Sequence, residues 1–172
     1  MGSNGCGKTT LLRLILGRLQ PKSGSIKVFG AKPNSKESNI PGSGVGYMPQ
    51  NIALFNEFTI EEILKYYGII YHMNSVDIQK RIAHLIELLN LPKRNRKIGL
   101  LSGGQQRLVS MSVTLVHKPP LLILDEPTVG VDSLLRCRIW QYLENICTND
   151  GIIEYYIQNK KIHNKYIFLI TW

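Results

Sequence analysis

The sequence predicts an α/β fold built around a parallel sheet, and three observations support this class. Residues 2–9 fit the phosphate-binding pattern G-x-x-x-x-G-K-[ST], and apolar residues at helical spacing follow directly. Residues 121–124 are a continuous apolar run, which is typical of a strand buried on both faces of a parallel sheet. Helix-like and strand-like segments alternate along the chain, as they do in α/β proteins.

The N-terminal part of the chain supplies one helix and short strands. Residues 9–19 carry Leu and Ile at helical spacing and predict the first helix. Residues 25–29 alternate in polarity and predict a strand, whereas residues 30–44 are rich in Gly, Pro, Ser and Asn and predict a loop or hairpin. Residues 45–48 predict a short strand that ends before Pro49.

Four more helices are predicted after this strand. Thr59 and Glu62 have the spacing of a capping box, so a helix is expected to begin there. A second helix is predicted over residues 77–90, where apolar residues occupy one face. The other two helices, over residues 105–117 and 134–146, lie on either side of the apolar strand.

Length and composition bound the possible functions. With 172 residues, 44% of them hydrophobic, the chain can form one domain with a sizeable core. No segment approaches the roughly 20 apolar residues that cross a bilayer. Three cysteines without C-x-x-C spacing argue against a disulfide framework or a zinc site and favour a reducing compartment.

The net charge of +9 raises the alternative of a nucleic acid or an anionic membrane as partner. The densest basic cluster is Lys-Arg-Asn-Arg-Lys at residues 93–97, and no aromatic residue interleaves with it as a single-strand platform would require. Tyr66, Tyr67 and Tyr71 have a spacing that fits helix packing better. We therefore interpret the cluster as a solvated loop and do not expect a nucleic-acid partner.

The phosphate-binding pattern assigns a role to each of its residues. Its glycines let backbone N–H groups converge on phosphate oxygens at a helix N-terminus. Lys8 supplies a charge to the β- and γ-phosphates of a nucleotide, and Thr9 offers a hydroxyl to Mg²⁺. Cys6 is either a reactive thiol or simply a small residue at a variable position. The residues expected to bind the nucleotide are Asn4, Gly5, Cys6, Gly7, Lys8, Thr9 and Thr10.

Two carboxylates follow the apolar strand directly. Asp125 and Glu126 stand at its carboxyl end, the edge at which open α/β sheets bind ligands. The first carboxylate can organise Mg²⁺, and the second can polarise an attacking water.

Five motifs in a fixed order give the chain its family resemblance. Residues 101–107 read Leu-Ser-Gly-Gly-Gln-Gln-Arg and precede the apolar strand. With this signature, the chain resembles the nucleotide-binding domain of ATP-binding cassette (ABC) transporters. The other four motifs are the Walker A loop at residues 2–9, the Q-loop at Gln50, the Walker B strand at residues 121–126 and the D-loop at Asp132. Residues 46–50 and 125–132 most resemble the G/H group of half-transporters known from insects.

The resemblance implies a P-loop ATPase that works as a head-to-tail homo- or heterodimer with ATP and Mg²⁺. Lys8 and Thr9 of one domain would face Ser102 and Gly104 of the other across ATP. The implied catalytic residues are Glu126, as general base, and Gln50. The implied metal contacts are Thr9, Gln50 and Asp125. From the signature and the D-loop, the residues implied to bind the nucleotide are Ser102, Gly103, Gly104, Gln105 and Asp132.

The resemblance also implies a cellular setting. A transmembrane domain would be the partner, reached through Gln50 and the adjoining helices, and the chain would lie at the cytoplasmic face of a membrane as part of a transporter.

The chain departs from the family pattern at both ends. The family has a strand that leads into the Walker A loop, whereas Met1 directly precedes Gly2 here. It also has a switch histidine, near whose place this chain has Ile-Gln-Asn at residues 157–159. We therefore expect residues 1–148 to be a partial nucleotide-binding domain, truncated at both ends. A helical subdomain should occupy about residues 51–100, and residues 149–172 form a divergent tail in which residues 166–170 read as a strand.

Three functions remain open from the sequence. The leading one is ATP hydrolysis that powers transmembrane transport. The second is a soluble ABC-type ATPase that acts on nucleic acid or ribosomes, which binding to a transmembrane partner would argue against. The third is a non-catalytic fragment, which measured ATP turnover would argue against.

Overall fold

The structure is a computed structural model that describes residues 8–125, 127–149, 154–156, 161–162 and 166–170, with side chains described for residues 10–125 and 127–146. The helices are α1 (Lys8–Ile15), α2 (Ile60–Ile70), α3 (Ser75–Leu88), a short 3₁₀ helix (Ile98–Leu100), α4 (Gly103–Leu115) and α5 (Ser133–Asn149). The strands are β1 (Val45–Met48), β2 (Leu121–Asp125), β3 (Glu154–Tyr156), β4 (Lys161–Ile162) and β5 (Tyr166–Ile170). No helix in these ranges is long and apolar enough to cross a membrane.

The five strands form one sheet in the order β1-β2-β5-β3-β4. β1 and β5 each run parallel to β2, and β3 runs parallel to β5. Among the described strands, only β4 is antiparallel to its neighbour, β3. The register aligns Met48 with Leu124 and Asp125 with Ile170. The predicted parallel α/β arrangement is therefore confirmed, and the strand predicted at residues 166–170 pairs directly with β2.

β2 is buried on both faces because two hydrophobic cores meet at it. Leu121 and Ile123 belong to a smaller core that includes α1 residues. Leu122 and Leu124 belong to a larger core that joins α2, α3, α4 and α5. A strand whose side chains alternate between two apolar layers must be apolar throughout, which explains the continuous run in the sequence.

The two helices α2 and α3 each begin directly after a capping residue. The capping box predicted at Thr59 is confirmed: its hydroxyl accepts from the Glu62 amide at 3.2 Å, and Glu62 Oε2 accepts from the Thr59 amide at 2.7 Å. α3 begins at Ser75, two residues before the predicted start. The reason is Asn74, whose side chain accepts from the Asp77 amide at 2.8 Å and caps the helix.

Two predictions near the N-terminus were wrong. Residues 25–29 do not form a strand: Val28 and Ala31 pair through an isolated bridge around Phe29 and Gly30, whose φ angles of 55° and 80° reverse the chain. The first helix ends at Ile15 instead of continuing to residue 19. Gly17, with a φ of 69°, takes the left-handed conformation that commonly follows a helix end.

α4 lies directly on β1 because Gly46 has no side chain. A Cβ atom at this position would stand 2.5 Å from the carbonyl oxygen of Thr114. The close approach brings the carboxyl end of α4 against the sheet.

An aromatic row runs along α2 to the end of α4. Its members are Phe55, Phe58, Tyr66, Tyr67, Tyr71 and His117, and successive ring centroids lie 3.6 to 6.4 Å apart. The predicted packing role of the tyrosines is confirmed. The last pair is the tightest, since Tyr71 and His117 stack at 3.6 Å with an angle of 17° between ring planes.

Burial makes His117 a pH-sensitive part of this packing. Burial lowers the pKa of His117 to about 4; the backbone of Val45 opposes the shift, and the positive charge of Arg81 adds to it. The folded chain therefore keeps the imidazole neutral down to about pH 4, whereas the unfolded chain takes up a proton near pH 6.5. The stability of the folded chain is full above pH 6.5 and declines as the pH falls towards 4.

We expect the free energy of unfolding to fall by at most about 3 kcal/mol over this pH range on account of His117. Urea denaturation at a series of pH values measures it. His117→Phe keeps an aromatic ring against Tyr71 and should remove this part of the decline. His72→Asn, at an exposed position with a φ of 56°, is the control and should behave as the wild type. An unchanged decline in His117→Phe would contradict the assignment.

Candidate functional site

The carboxyl ends of β1 and β2 form the edge at which two of the predicted site residues lie. Met48 and Leu124 are partners in the parallel register, so Gln50 and Asp125 follow them at the same edge. Gln50 is exposed and Asp125 is half-buried. The structure thus brings together two of the three residues predicted to contact a metal.

Arg107 fastens these two strand ends to α4. Its Nη1 donates a hydrogen bond to the carbonyl oxygen of Gln50 at 2.6 Å, and its Nη2 donates to the carbonyl oxygen of Asp125. The side chain is buried, with 7% of its surface exposed. A guanidinium suits this place because its planar fork can bond two acceptors at once. The fork fixes the spacing between Gln50 and Asp125.

The amino end of α4 carries the signature residues in a defined geometry. Ser102 is the N-cap, and its hydroxyl accepts from the Gln105 amide at 3.3 Å. Gln105 Oε1 accepts from the Ser102 amide at 3.1 Å, which completes a capping box. The amides of Gly103 and Gly104 have no carbonyl partner in the preceding turn of the helix. Two amides and the positive end of the helix dipole therefore suit an anion here.

The two signature glycines differ in what surrounds them. A Cβ atom on Gly104 would stand 2.7 Å from the carbonyl oxygen of Gly130, so the fold of this chain itself requires glycine there. A Cβ atom on Gly103 would meet no described atom within 4 Å. Within the described part of the chain, nothing requires a glycine at position 103.

The loop between β2 and α5 lies against the signature through that contact. Gly130 has a φ of 76°, and the Val131 amide donates to the Thr128 carbonyl at 3.2 Å. Asp132 is exposed, and its Oδ1 accepts from the Leu135 amide at 2.9 Å, which caps the start of α5. The structure therefore places the predicted D-loop beside the predicted signature.

α1 approaches β2 from the other face of the sheet. Leu12 and Ile15 pack in the smaller core with Leu121 and Ile123. The helix begins at Lys8, which agrees with a phosphate-binding pattern that leads into a helix, and Thr10 is exposed in its first turn.

Part of the predicted site lies outside the described residues. This holds for Asn4, Gly5, Cys6, Gly7 and Glu126, and for the side chains of Lys8 and Thr9.

Sequence reasoning missed two supporting residues, Gln106 and Arg107. Gln106 Nε2 donates to the carbonyls of Ile98 and Leu101 at 3.3 and 3.2 Å and so holds the segment that precedes the signature. Both residues were visible as the polar end of the signature motif. A charged residue on a helix predicted to pack on a sheet is the signal that could have identified Arg107.

Arg107→Met should lower the free energy of unfolding by about 2–4 kcal/mol, because it leaves two carbonyl groups without their hydrogen bonds. Urea denaturation measures the loss. Arg96→Met is the matched control, since Arg96 donates a single bond of 3.2 Å to the Leu100 carbonyl from an exposed position. We expect that control to lose less than about 1 kcal/mol. Equal losses in the two variants would refute the role of the fork.

The chain matches a family profile described as ABC transporter over residues 1–129. It is 49% identical over 152 residues to ABC transporter G family member 23 of Dictyostelium discoideum, an alignment that covers 88% of this chain and 22% of the relative. ABC transporter G family member 20 of the same organism is 41% identical over 174 residues, with 99% and 24% covered. The Nod factor export ATP-binding protein I of Rhizobium etli is 36% identical over 154 residues, with 89% and 48% covered.

Solved structures agree with this assignment of the fold. A dimeric ATP-binding cassette in a post-hydrolysis state, bound to ADP and Pi, superposes with a TM-score of 0.77 at 26% identity, covering 99% of this chain and 72% of that one. An ATP-binding subunit of an ABC transporter gives a TM-score of 0.81 at 22% identity, covering 98% of this chain and 65% of that one. The chain spans about a quarter of the length of the two G family relatives.

Proposed function

Because the chain belongs to the ABC transporter family and has the fold of its ATP-binding domain, we propose that it binds and hydrolyses ATP as part of a G family transporter. The observation that carries this proposal is the cross-link made by Arg107. It holds Gln50, Asp125 and the signature helix α4 at one edge of the sheet. Residues from three separate motifs therefore converge where α/β sheets bind ligands.

The nucleotide would lie on the Walker A loop at the start of α1. Asn4, Gly5, Cys6, Gly7, Lys8, Thr9 and Thr10 would hold its phosphates. Glu126 directly follows Asp125 in the chain and would accept the proton of the attacking water. Gln50 would orient that water.

The residues at this edge fit a magnesium ion. Asp125 offers a carboxylate and Gln50 an amide oxygen, and Thr9 would add a hydroxyl; such oxygen donors are the ligands that Mg²⁺ prefers. The ion would supply charge stabilisation to the transferred phosphoryl group. The fork of Arg107 bonds the backbone carbonyls of Gln50 and Asp125 and so sets the positions from which their side chains would reach the ion.

The signature would serve the nucleotide of a second copy. Ser102 and Gly103 are exposed at the amino end of α4, and the space beside Gly103 is open within the described chain. This helix end is exposed and suits an anion, and the fold of the chain itself does not require a glycine at position 103. Both observations support contact with a ligand that a second copy holds. Gln105 and Asp132 would complete this face, in a homo- or heterodimer.

The transporter setting is part of the same proposal. The two G family relatives are about four times as long as this chain, which supports a membrane domain elsewhere in the whole protein. The chain would work at the cytoplasmic face of the membrane, with residues 51–100 as the helical subdomain that contacts the membrane domain. Residues 1–148 would form the nucleotide-binding unit, and residues 149–172 a divergent tail.

Glu126→Gln should reduce ATP turnover at least about 100-fold while ATP still binds, because it removes the general base and keeps the side-chain volume. Turnover and nucleotide affinity are measured on the purified chain and on the full-length transporter. Glu87→Gln, exposed on α3, is the control and should match the wild type. Turnover that survives in Glu126→Gln would refute the role of this residue. If the full-length transporter hydrolyses ATP and the purified wild-type chain does not, the chain by itself is a non-catalytic fragment.

Gly103→Leu tests the contact with a second copy. Since a Cβ atom at this position has no described atom within 4 Å, the free energy of unfolding should change by less than about 1 kcal/mol. ATP turnover and ATP-dependent dimerisation should nevertheless be lost, because the leucine fills the space that the partner's nucleotide needs. Gly104→Leu should destabilise the chain itself, since it meets the Gly130 carbonyl. A Gly103→Leu protein with full turnover would contradict the dimer arrangement.

A further inference from the structure

A cavity lies between α3 and the carboxyl end of α4, far from the signature. It has a volume of about 490 Å³ and is lined by Met73, Asp77, Lys80, Arg81, His84, His117 and Lys118. α4 has 13 residues, so this cavity and Ser102 are separated by about 20 Å along the helix axis. It is therefore distinct from the candidate nucleotide site.

Positive charge predominates in the lining of this cavity. Lys80, Arg81 and Lys118 contribute three cations, and Asp77 is the only acidic residue in the lining. Asp77 is already bonded at the start of α3, where its Oδ2 accepts from Asn74 Nδ2 at 2.5 Å. None of the ion pairs found among residues 10–125 and 127–146 involves the three cations. The three cations thus form no ion pair with a described side chain, and Asp77 offsets only one of their three charges.

Buried nitrogen atoms at this cavity also lack a hydrogen bond of good geometry within the described chain. Arg81 Nη2 donates to the Leu115 carbonyl at 2.8 Å and so caps α4, but Arg81 Nε makes no hydrogen bond. Neither ring nitrogen of His117 makes one of acceptable geometry within the described chain. Burial lowers the pKa of His84, and the charges of Arg81 and Lys118 lower it further, while Glu87 opposes the shift. The histidines therefore also experience a positive environment.

Lys118 follows the end of α4 in a backbone conformation that lysine rarely adopts. Lys118 has a φ of 51°, in the left-handed region that favours glycine at a helix end. Lysine at this place costs stability that glycine would not. It does, however, place a third cation at the mouth of the cavity.

We propose that this basic pocket binds a phosphate or phosphomonoester group, carried by a small soluble molecule or by a lipid headgroup. Lys80 and Lys118 supply charge at the mouth, and Arg81 supplies it from the wall. The volume falls within the range of small-molecule sites. A dianion here compensates the positive charge that the described side chains leave unpaired. Because Arg81 also caps α4, the ligand would contact the end of the helix opposite the signature.

The test follows the ring NMR signals of His84 and His117 in the full chain during titration with inorganic phosphate at constant ionic strength, set with sodium chloride. Both rings line the pocket, so their chemical shifts distinguish phosphate bound in the pocket from phosphate bound at the Walker A loop. We expect saturable shifts at both rings. The double variant Lys80→Met with Lys118→Met should weaken binding at least about tenfold, since it removes two unit charges from the site.

The matched control is Lys22→Met with Lys93→Met, which removes two exposed lysines outside the pocket and should leave the affinity unchanged. Flotation with phosphatidylcholine vesicles, with and without phosphatidic acid, separates the two sources of the phosphate group. Binding only to phosphatidic acid vesicles, lost in the pocket double variant, supports a lipid headgroup. No saturable binding to phosphate or to these vesicles, or equal weakening in the two double variants, would overturn the proposal.

Discussion

The geometry of the site depends on the two hydrogen bonds that the buried guanidinium of Arg107 donates. The guanidinium spans two strand ends that are distant in the sequence and ties both to a helix whose amino end carries the signature. Each bond goes to a backbone carbonyl, so the constraint acts on the position of the chain and not on one side chain. The two bonds set the separation of Gln50 and Asp125 along the edge of the sheet. Catalytic and ligand-binding side chains need such support, because small errors of placement are costly to function.

α4 converts this local constraint into an arrangement of the whole domain. Its amino end meets the loop after β2 at Gly130, its second turn supplies Arg107, and its carboxyl end lies on β1 at Gly46. Arg81 from α3 bonds the last turn of the same helix. The helix therefore contacts the loop after β2, the sheet and α3. The basic pocket lies at its carboxyl end.

Local chemistry could be predicted from the sequence, and contacts between distant residues could not. The capping box at Thr59 and the apolar strand β2 depend on neighbouring residues and on periodicity, which the sequence states directly. The strand predicted over residues 25–29 was wrong because the alternating pattern did not reveal the left-handed turn at Phe29 and Gly30. The bonds of Arg107 cross 57 and 18 positions of the chain, and a motif names the residue without naming its acceptors.

In a strand that is apolar on both faces, the pattern of side chains does not by itself fix the register. In a half-exposed strand, a slip by one residue moves polar groups into the core, and that penalty fixes the alignment. β2 has no such penalty over residues 121–124, since either alignment would bury leucine or isoleucine in both layers. Its alignment must be fixed at its ends and neighbours, by the Asp125 carbonyl under Arg107 and by the close contact at Gly46. The middle of the strand can then vary among apolar residues, while Arg107 and Gly46, which fix the alignment through their own identity, cannot.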